Sequence, residues 1–208
     1  MNNIKNIIIL ITLTLSFNIY SDYEFSIKGG LNYSMVEGIK DSSSSSSIES
    51  FYKTGGVLFL SMKKSIKNNF YYNINLGINQ KGGEIKITDN LGNSVDGSPH
   101  KRSFYTIEIP LILGYNIFEN INLYIGVYKS IVYAYAINDY TSYGAYNKEG
   151  KMMNDFGFLL GVEYNYNDFL IDFRFQQGFG NLKQPVPESS EHYTNSRQFV
   201  FMVGYRFF

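Results

Sequence analysis

Bulky apolar residues recur at every second position through most of the chain, which is the period of a strand with two unlike faces. Between Phe70 and Lys81, Phe70, Tyr72, Ile74, Leu76 and Ile78 alternate with Tyr71, Asn73, Asn75, Gly77, Asn79 and Lys81. Phe156, Phe158, Leu160, Val162, Tyr164 and Tyr166 oppose Asp155, Gly157, Leu159, Gly161, Glu163 and Asn165. Phe169, Ile171, Phe173 and Phe175 oppose Leu170, Asp172, Arg174 and Gln176. Near the end, Phe199, Phe201, Val203, Tyr205 and Phe207 oppose Gln198, Val200, Met202, Gly204 and Arg206. In all, the pattern predicts eight strands over 24–35, 51–63, 70–82, 102–115, 121–137, 155–165, 168–179 and 197–208. The second of these is apolar on both faces around Val57 to Leu60, and the fifth is long enough to hold a bend.

The connections alternate in length. Long ones cover 36–50, 83–101, 138–154 and 180–196; short ones cover 64–69, 116–120 and 166–167. The long ones have loop composition, including the run Ser42 to Ser47, Asp89-Asn90-Leu91-Gly92-Asn93 and the Pro-bearing segment Gln184 to Ser190. This alternation places both ends of an eight-stranded meander on the short-turn side, the arrangement of barrels with brief periplasmic turns and extended outer loops.

Alternation alone does not say which face points outward. In hydrocarbon every backbone N–H and C=O must be paired within the protein, so only helices and closed barrels span, and a tilted strand of ~9–11 residues crosses the apolar layer. The polar faces hold too much Gly, Asn and unlike charge for an ordinary wetted surface, so the apolar faces are assigned to lipid. Tyr33, Tyr72, Tyr105, Tyr115, Tyr164 and Tyr205, at strand ends, suit aromatic girdles. The expected fold is therefore all-β: an eight-stranded antiparallel up-and-down transmembrane β-barrel. A soluble lipocalin-like carrier, with the faces reversed, is the rival fold.

An eight-stranded barrel has an interior just wide enough for side chains to fill. The inward candidates are Lys28, Asn32, Lys81, Glu108, Glu163, Asp172, Arg174 and Arg206. Buried lone charges are costly, so these are expected to pair, Asp172 with Arg174 and Glu163 with Arg174 or Arg206, as a polar plug that fixes register. A proton or ion path is the functional alternative. Pro110 donates no ladder hydrogen bond and is expected to mark a bulge or kink.

Residues 1–21 read as a secretory signal peptide: one positive charge at Lys5, an apolar run from Ile7 to Phe17 too short to span comfortably, and Ile19 and Ser21 at the −3 and −1 positions of a cleavage site. Residues 22–208 then form the barrel domain, and export past the inner membrane follows. The chain of 208 residues has 18 basic against 18 acidic side chains, so no net charge draws it to nucleic acid. It has no Cys, which excludes a disulfide framework, thiolate chemistry and a lipidated cysteine.

The mature chain resembles the PorT-like outer-membrane β-barrel (porin-family) proteins. Ile27 to Ser34 is similar to that family's opening strand, Gly77 to Gly83 to its third, and Tyr105 to Tyr115 to its fourth, where Glu108-x-Pro110 followed by aliphatics is the most distinctive piece. Phe156 to Leu182, with Gly161, Arg174, Gly178 and Asn181, looks like the sixth and seventh strands, and Val203 to Phe207 like the closing strand. Phe208 extends one residue past the family's terminal aromatic, and the serine run has no counterpart. The resemblance implies the fold and the outer membrane, and little about activity.

Chemistry is sparse. His100 and His192 fall in outer loops; Ser98, His100 and a loop Glu show no catalytic spacing, and the two His with Glu188 or Glu191 show no metal-ligand spacing. The expectation is a non-enzymatic protein without cofactor or metal, a monomer in the cell outer membrane. Its partners would be outer-membrane lipid and, during biogenesis, the barrel-assembly machinery, with no nucleic acid and an extracellular partner not identifiable from sequence. Its role would be envelope-structural or surface-interacting through four long loops. The alternatives are a narrow passive channel and, behind it, a lipid-modifying barrel enzyme.

Overall fold

The computed structural model describes residues 23–39, 47–88, 91, 93, 100–138, 140–143, 153–179 and 192–207. The expected signal peptide, most of the serine run, Ser98, Glu188 and Glu191 lie outside the described residues. Among the described residues ten strands are formed: β1 (Tyr23–Ile39), β2 (Ser47–Phe51), β3 (Lys53–Ser65), β4 (Phe70–Thr88), β5 (His100–Phe118), β6 (Ile121–Ile137), β7 (Tyr140–Tyr143), β8 (Asn154–Tyr166), β9 (Phe169–Gly178) and β10 (His192–Arg206). Eight of them make the wall, in the order β1-β3-β4-β5-β6-β8-β9-β10, all antiparallel, and β1 pairs β10 to close it. The short β2 and β7 pair β4 and β6 on the long-loop side.

The ladder can be followed once around the wall. Lys63 on β3 faces Asn73 on β4, and the pairs continue through Ile112, Gly126, Leu159, Gln176, Gln198 and Ser34 back to β3 at Lys53, ten residues from the start. With eight strands, a stagger of ten requires a tilt of about 40° at ~3.3 Å rise per residue and ~4.8 Å between strands. The corresponding radius, about 8 Å, leaves room for side chains and little else.

All eight expected strands form, and most run further than the alternation indicated. Strands β1, β4, β5 and β10 continue into segments read as loops, β7 lies wholly within one, and β2 lies within one except for Phe51. Above the membrane no lipid demands an apolar outer face, and on β4 the alternation inverts, with Ile85 inward and Lys86 outward, so the membrane pattern ends before the strand does. Three tight turns join β3–β4, β5–β6 and β8–β9, and Asn68, Asn69 and Asn167 take φ of 53°, 67° and 53° there, a region asparagine tolerates better than most residues. The β10 end returns beside the β1 start, with the Phe207 amide donating to the Phe25 carbonyl. Pro110 corrects an expectation. The β5 register shifts fall at Tyr105/Thr106 and Asn116/Phe118, and Pro110 sits in regular pairing with Tyr128. Its missing N–H is accommodated on the β4 side, where pairing lapses between Ile74↔Leu111 and Gly77↔Glu108 without a change of register.

The faces sort as the bulk of the side chains requires. Leu31, Leu58, Leu60, Leu76, Ile107, Leu111, Ile125, Leu160 and Phe173 are exposed on the outer surface, while Phe59, Ile112, Leu159 and Met202 point inward. The doubly apolar stretch of β3 thus divides cleanly, Val57 and Phe59 inside, Leu58 and Leu60 outside. Rings gather at two levels. On the short-turn side Phe70 packs on Tyr115, and Phe169 on Tyr205. On the long-loop side Tyr33 stacks on Tyr52 at 4.7 Å, Phe175 packs on Phe199, and Tyr105 on Tyr133. From Tyr105 to Tyr115 on β5 is about 33 Å of strand, or ~25 Å of height at this tilt, the thickness of an outer-membrane apolar band. From the Tyr72 level to Thr88 on β4 the wall rises ~40 Å, so it stands about 15 Å beyond the long-loop belt.

Candidate functional site

The alternation that sends rings outward also sends the charges inward, where two clusters stack along the axis. In the lower cluster, nearer the short turns, the buried Lys28 ammonium (β1) lies between Glu163 (β8) and Asp172 (β9), 2.8 Å from Asp172. Arg174 Nη2 meets Asp172 at 3.1 Å, and Tyr124 Oη donates to the same carboxylate. Arg174 Nε donates to Tyr124 Oη at 3.2 Å, and its guanidinium lies over the Phe59 ring at 5.3 Å. Asn122 Nδ2 donates to the second oxygen of Glu163 at 3.1 Å.

In the upper cluster Lys81 (β4) bridges Glu108 (β5) at 2.9 Å and Asp155 (β8) at 3.1 Å and lies 4.3 Å over the Tyr128 ring. Neutral donors add to both carboxylates. Gln176 and Asn79 donate to Glu108 at 2.8 and 3.2 Å, and Ser196 and Tyr128 donate to Asp155 at 2.7 and 3.0 Å. Apolar layers alternate with the clusters: Val57, Phe59, Val200 and Met202 form one, and Val36, Ile85, Phe104, Val132 and Met153 close the long-loop end. These apolar layers keep the upper charges in a low-dielectric space, where an unpaired ion is costly and each depends on its partners.

Of the candidates read from sequence, Lys28, Lys81, Glu108, Glu163, Asp172 and Arg174 lie in these clusters, and Asn32 lies beside them, donating to Asn79. Two expectations are corrected. Glu163 pairs with Lys28 and not with Arg174 or Arg206, because β8 meets β9 with Glu163 opposite Asp172, and the cation reaches both carboxylates from across the lumen. Arg206 is not in the interior network. It sits at the short-turn rim, where its Nη1 meets Glu24 at 3.1 Å and its Nη2 donates to the Asn167 carbonyl, with 27 % of its side chain exposed. Strand β10 is ending there, and the lumen opens to water.

Sequence reading missed Asp155, which makes three cations against four carboxylates in the two clusters. It also missed the interior tyrosines. Tyr71, Tyr124 and Tyr128 are buried, and each stands directly opposite a glycine on the neighbouring strand: Gly114, Gly161 and Gly157. A Cβ on Gly114 or Gly161 would collide with the ring of Tyr71 or Tyr124, so these glycines are the spaces into which the rings lie down along the wall. The signal was legible as Tyr and Gly on polar faces, but only register couples them. His100 opens β5, half-buried, and His192 opens β10; neither belongs to a cluster of possible metal ligands among the described residues.

These pairs tie β1 to β8 and β9, and β4 to β5 and β8, and so fix strand register across the interior. The architecture is shared. The structure of Neisserial surface protein A superposes with a TM-score of 0.56 at 12 % identity, covering 88 % of this chain and 97 % of that one. The outer membrane protein OprG from Pseudomonas aeruginosa superposes with a TM-score of 0.51 at 10 % identity, covering 89 % and 96 %. Such low identity shows the fold alone. No curated protein sequence matches the chain. Residues 13–184 match the family model described as outer membrane protein beta-barrel domain. With most of its length so matched and an eight-stranded closed wall belted by aromatic rings, the chain belongs to the outer membrane protein beta-barrel domain family and resides in the outer membrane.

Proposed function

We propose that this protein is a non-enzymatic, monomeric element of the outer membrane, with a closed interior and an interaction surface on its long-loop rim. The observation that carries the reading is the filled lumen: two ion clusters separated by one apolar layer and closed toward the long loops by another, in a barrel about 8 Å in radius. A solid, register-locked barrel supports a tall rim, and loops held on a rigid scaffold are where binding usually resides. The order of motifs around Glu108-x-Pro110 favours a PorT-like branch of the family. Planar-bilayer recording of the refolded chain tests the closed interior. No discrete conductance is expected, and steady single-channel openings would overturn it. The envelope role is tested by deleting the long loops: unchanged surface binding and unchanged envelope sensitivity would overturn that part.

A second reading, a narrow passive conductor, has one observation behind it. Asn32 Oδ1, Asn75 Nδ2 and Arg174 Nη1 are buried polar atoms with no protein partner, and all three line the interior. The same recording decides between the two.

A further inference from the structure

Below the Tyr133 level and above the short-turn belt the outward face carries two charged side chains among the described residues: Arg197 on β10, whose Nε donates to Gln177 Oε1 at 3.1 Å, and Lys129 on β6. The outward neighbours of Lys129 are all apolar: Val127 and Ile131 along the strand, Ile109 across the ladder on β5 and Phe156 across the ladder on β8. No hydrogen bond or ion pair to Lys129 forms among the described residues. A cation on the lipid face is destabilising by an amount that grows with depth. Lys129 is four residues short of Tyr133 in the long-loop belt, ~10 Å of height at this tilt, and its four-carbon stem covers more than half of that rise. The ammonium therefore ends just beneath the level where lipid headgroups begin.

Directly below it the outer surface is hollowed. Leu111, Ile125, Val127, Phe158 and Leu160 border a trough of about 550 Å³. A second trough of about 490 Å³, bordered by Leu113, Leu123 and Phe70, shares Ile125 and Leu160 with the first and continues toward Tyr115. Together they form an apolar furrow running down the β5–β6–β8 face, with a single positive charge at its upper end.

We propose that this furrow holds one anionic phosphate-bearing lipid of the leaflet on the long-loop side, with the phosphate on Lys129 and an acyl chain along Val127, Ile125 and Leu113. Charge complementarity selects the headgroup, and the furrow selects a molecule with a chain attached. Such a lipid would turn a lipid-face charge that has no protein partner among the described residues into a retained contact.

The test is lipid retention by native mass spectrometry, using the full chain refolded into nanodiscs of equal phosphatidylglycerol and phosphatidylcholine. Wild type is expected to keep one phosphatidylglycerol about fivefold over phosphatidylcholine, the bias one lysine near an anionic surface supplies. Lys129→Gln should abolish that bias, and Lys129→Arg should keep it. Val127→Trp, which fills the furrow and leaves the charge, should also abolish it. Lys101→Gln, at an exposed rim cation whose side chain is 60 % exposed, should leave it intact. Each of these variants retains an outward-facing position, and gel mobility before and after heating reports folding. The proposal is overturned if wild type shows no bias, if Lys129→Gln or Val127→Trp keeps it, or if Lys101→Gln removes it equally.

Discussion

Replacing Lys81 by Met should be among the most damaging single changes in the barrel. Lys81 is 1 % exposed, and its partners Glu108 and Asp155 are both fully buried. Removing the ammonium leaves two buried carboxylates facing each other without a cation, although each keeps two neutral donors: Asn79 and Gln176 for Glu108, and Tyr128 and Ser196 for Asp155. Breaking a buried pair by deleting one partner costs about 3–5 kcal/mol. Those donors place the expectation near the lower figure, about 3 kcal/mol. Replacing the whole set, Lys81→Met with Glu108→Gln and Asp155→Asn, removes the uncompensated charge along with the pair, and is expected to fall within about 2 kcal/mol of wild type. Reversible urea unfolding in phospholipid vesicles, followed by circular dichroism and by gel mobility, measures both. The reasoning is refuted if Lys81→Met costs less than about 1 kcal/mol, or if the triple variant is no more stable than the single one.

Three further expectations are tested by the same unfolding assay. Tyr124→Phe removes the donor to Asp172 and the acceptor for Arg174 Nε, and should cost about 1–3 kcal/mol, where a surface tyrosine such as Tyr166 would cost little. Gly114→Ala puts a methyl group into the Tyr71 ring and should cost about 1–3 kcal/mol, with Tyr71→Ala in the same chain recovering part of the strain. Arg206→Ala should cost under about 1 kcal/mol, because its pair with Glu24 is at the wet rim; a loss matching that of Lys81→Met would return Arg206 to the interior.

The wall was legible because hydrocarbon demands a two-residue period that no other local effect disturbs; Phe70 to Lys81 and Phe156 to Asn165 announce both faces unaided. What was not legible depends on register. Glu163 meets Lys28 across 135 positions of chain, and no local spacing anticipates that pair. Asp155 stands at the start of β8, where its alternation with Phe156 was visible, but its membership in a cluster follows from where β4 and β5 bring Lys81 and Glu108. Consecutive Tyr71 and Tyr72 look alike in sequence; one lies in the lumen against Gly114 and the other faces out. Arg206 has the right parity for the interior and the wrong height, and height is set by the stagger of ten, a property of the closed ladder and not of any one strand. The extra length of β4 was missed for a related reason: above the belt Glu84 to Thr88 still alternates, but with Ile85 turned inward and Lys86 outward, the reverse of the membrane pattern.

The most direct measurement exploits the absence of tryptophan from the chain. Single reporters Leu76→Trp and Phe173→Trp on the outer face between the belts, and Lys101→Trp on the rim above them, are placed in vesicles whose acyl chains carry bromine. Strong bromine quenching with little iodide quenching at positions 76 and 173, and the reverse at 101, is the expected result. Iodide reaching positions 76 and 173 as freely as position 101, with bromine silent, would contradict the membrane-spanning barrel itself.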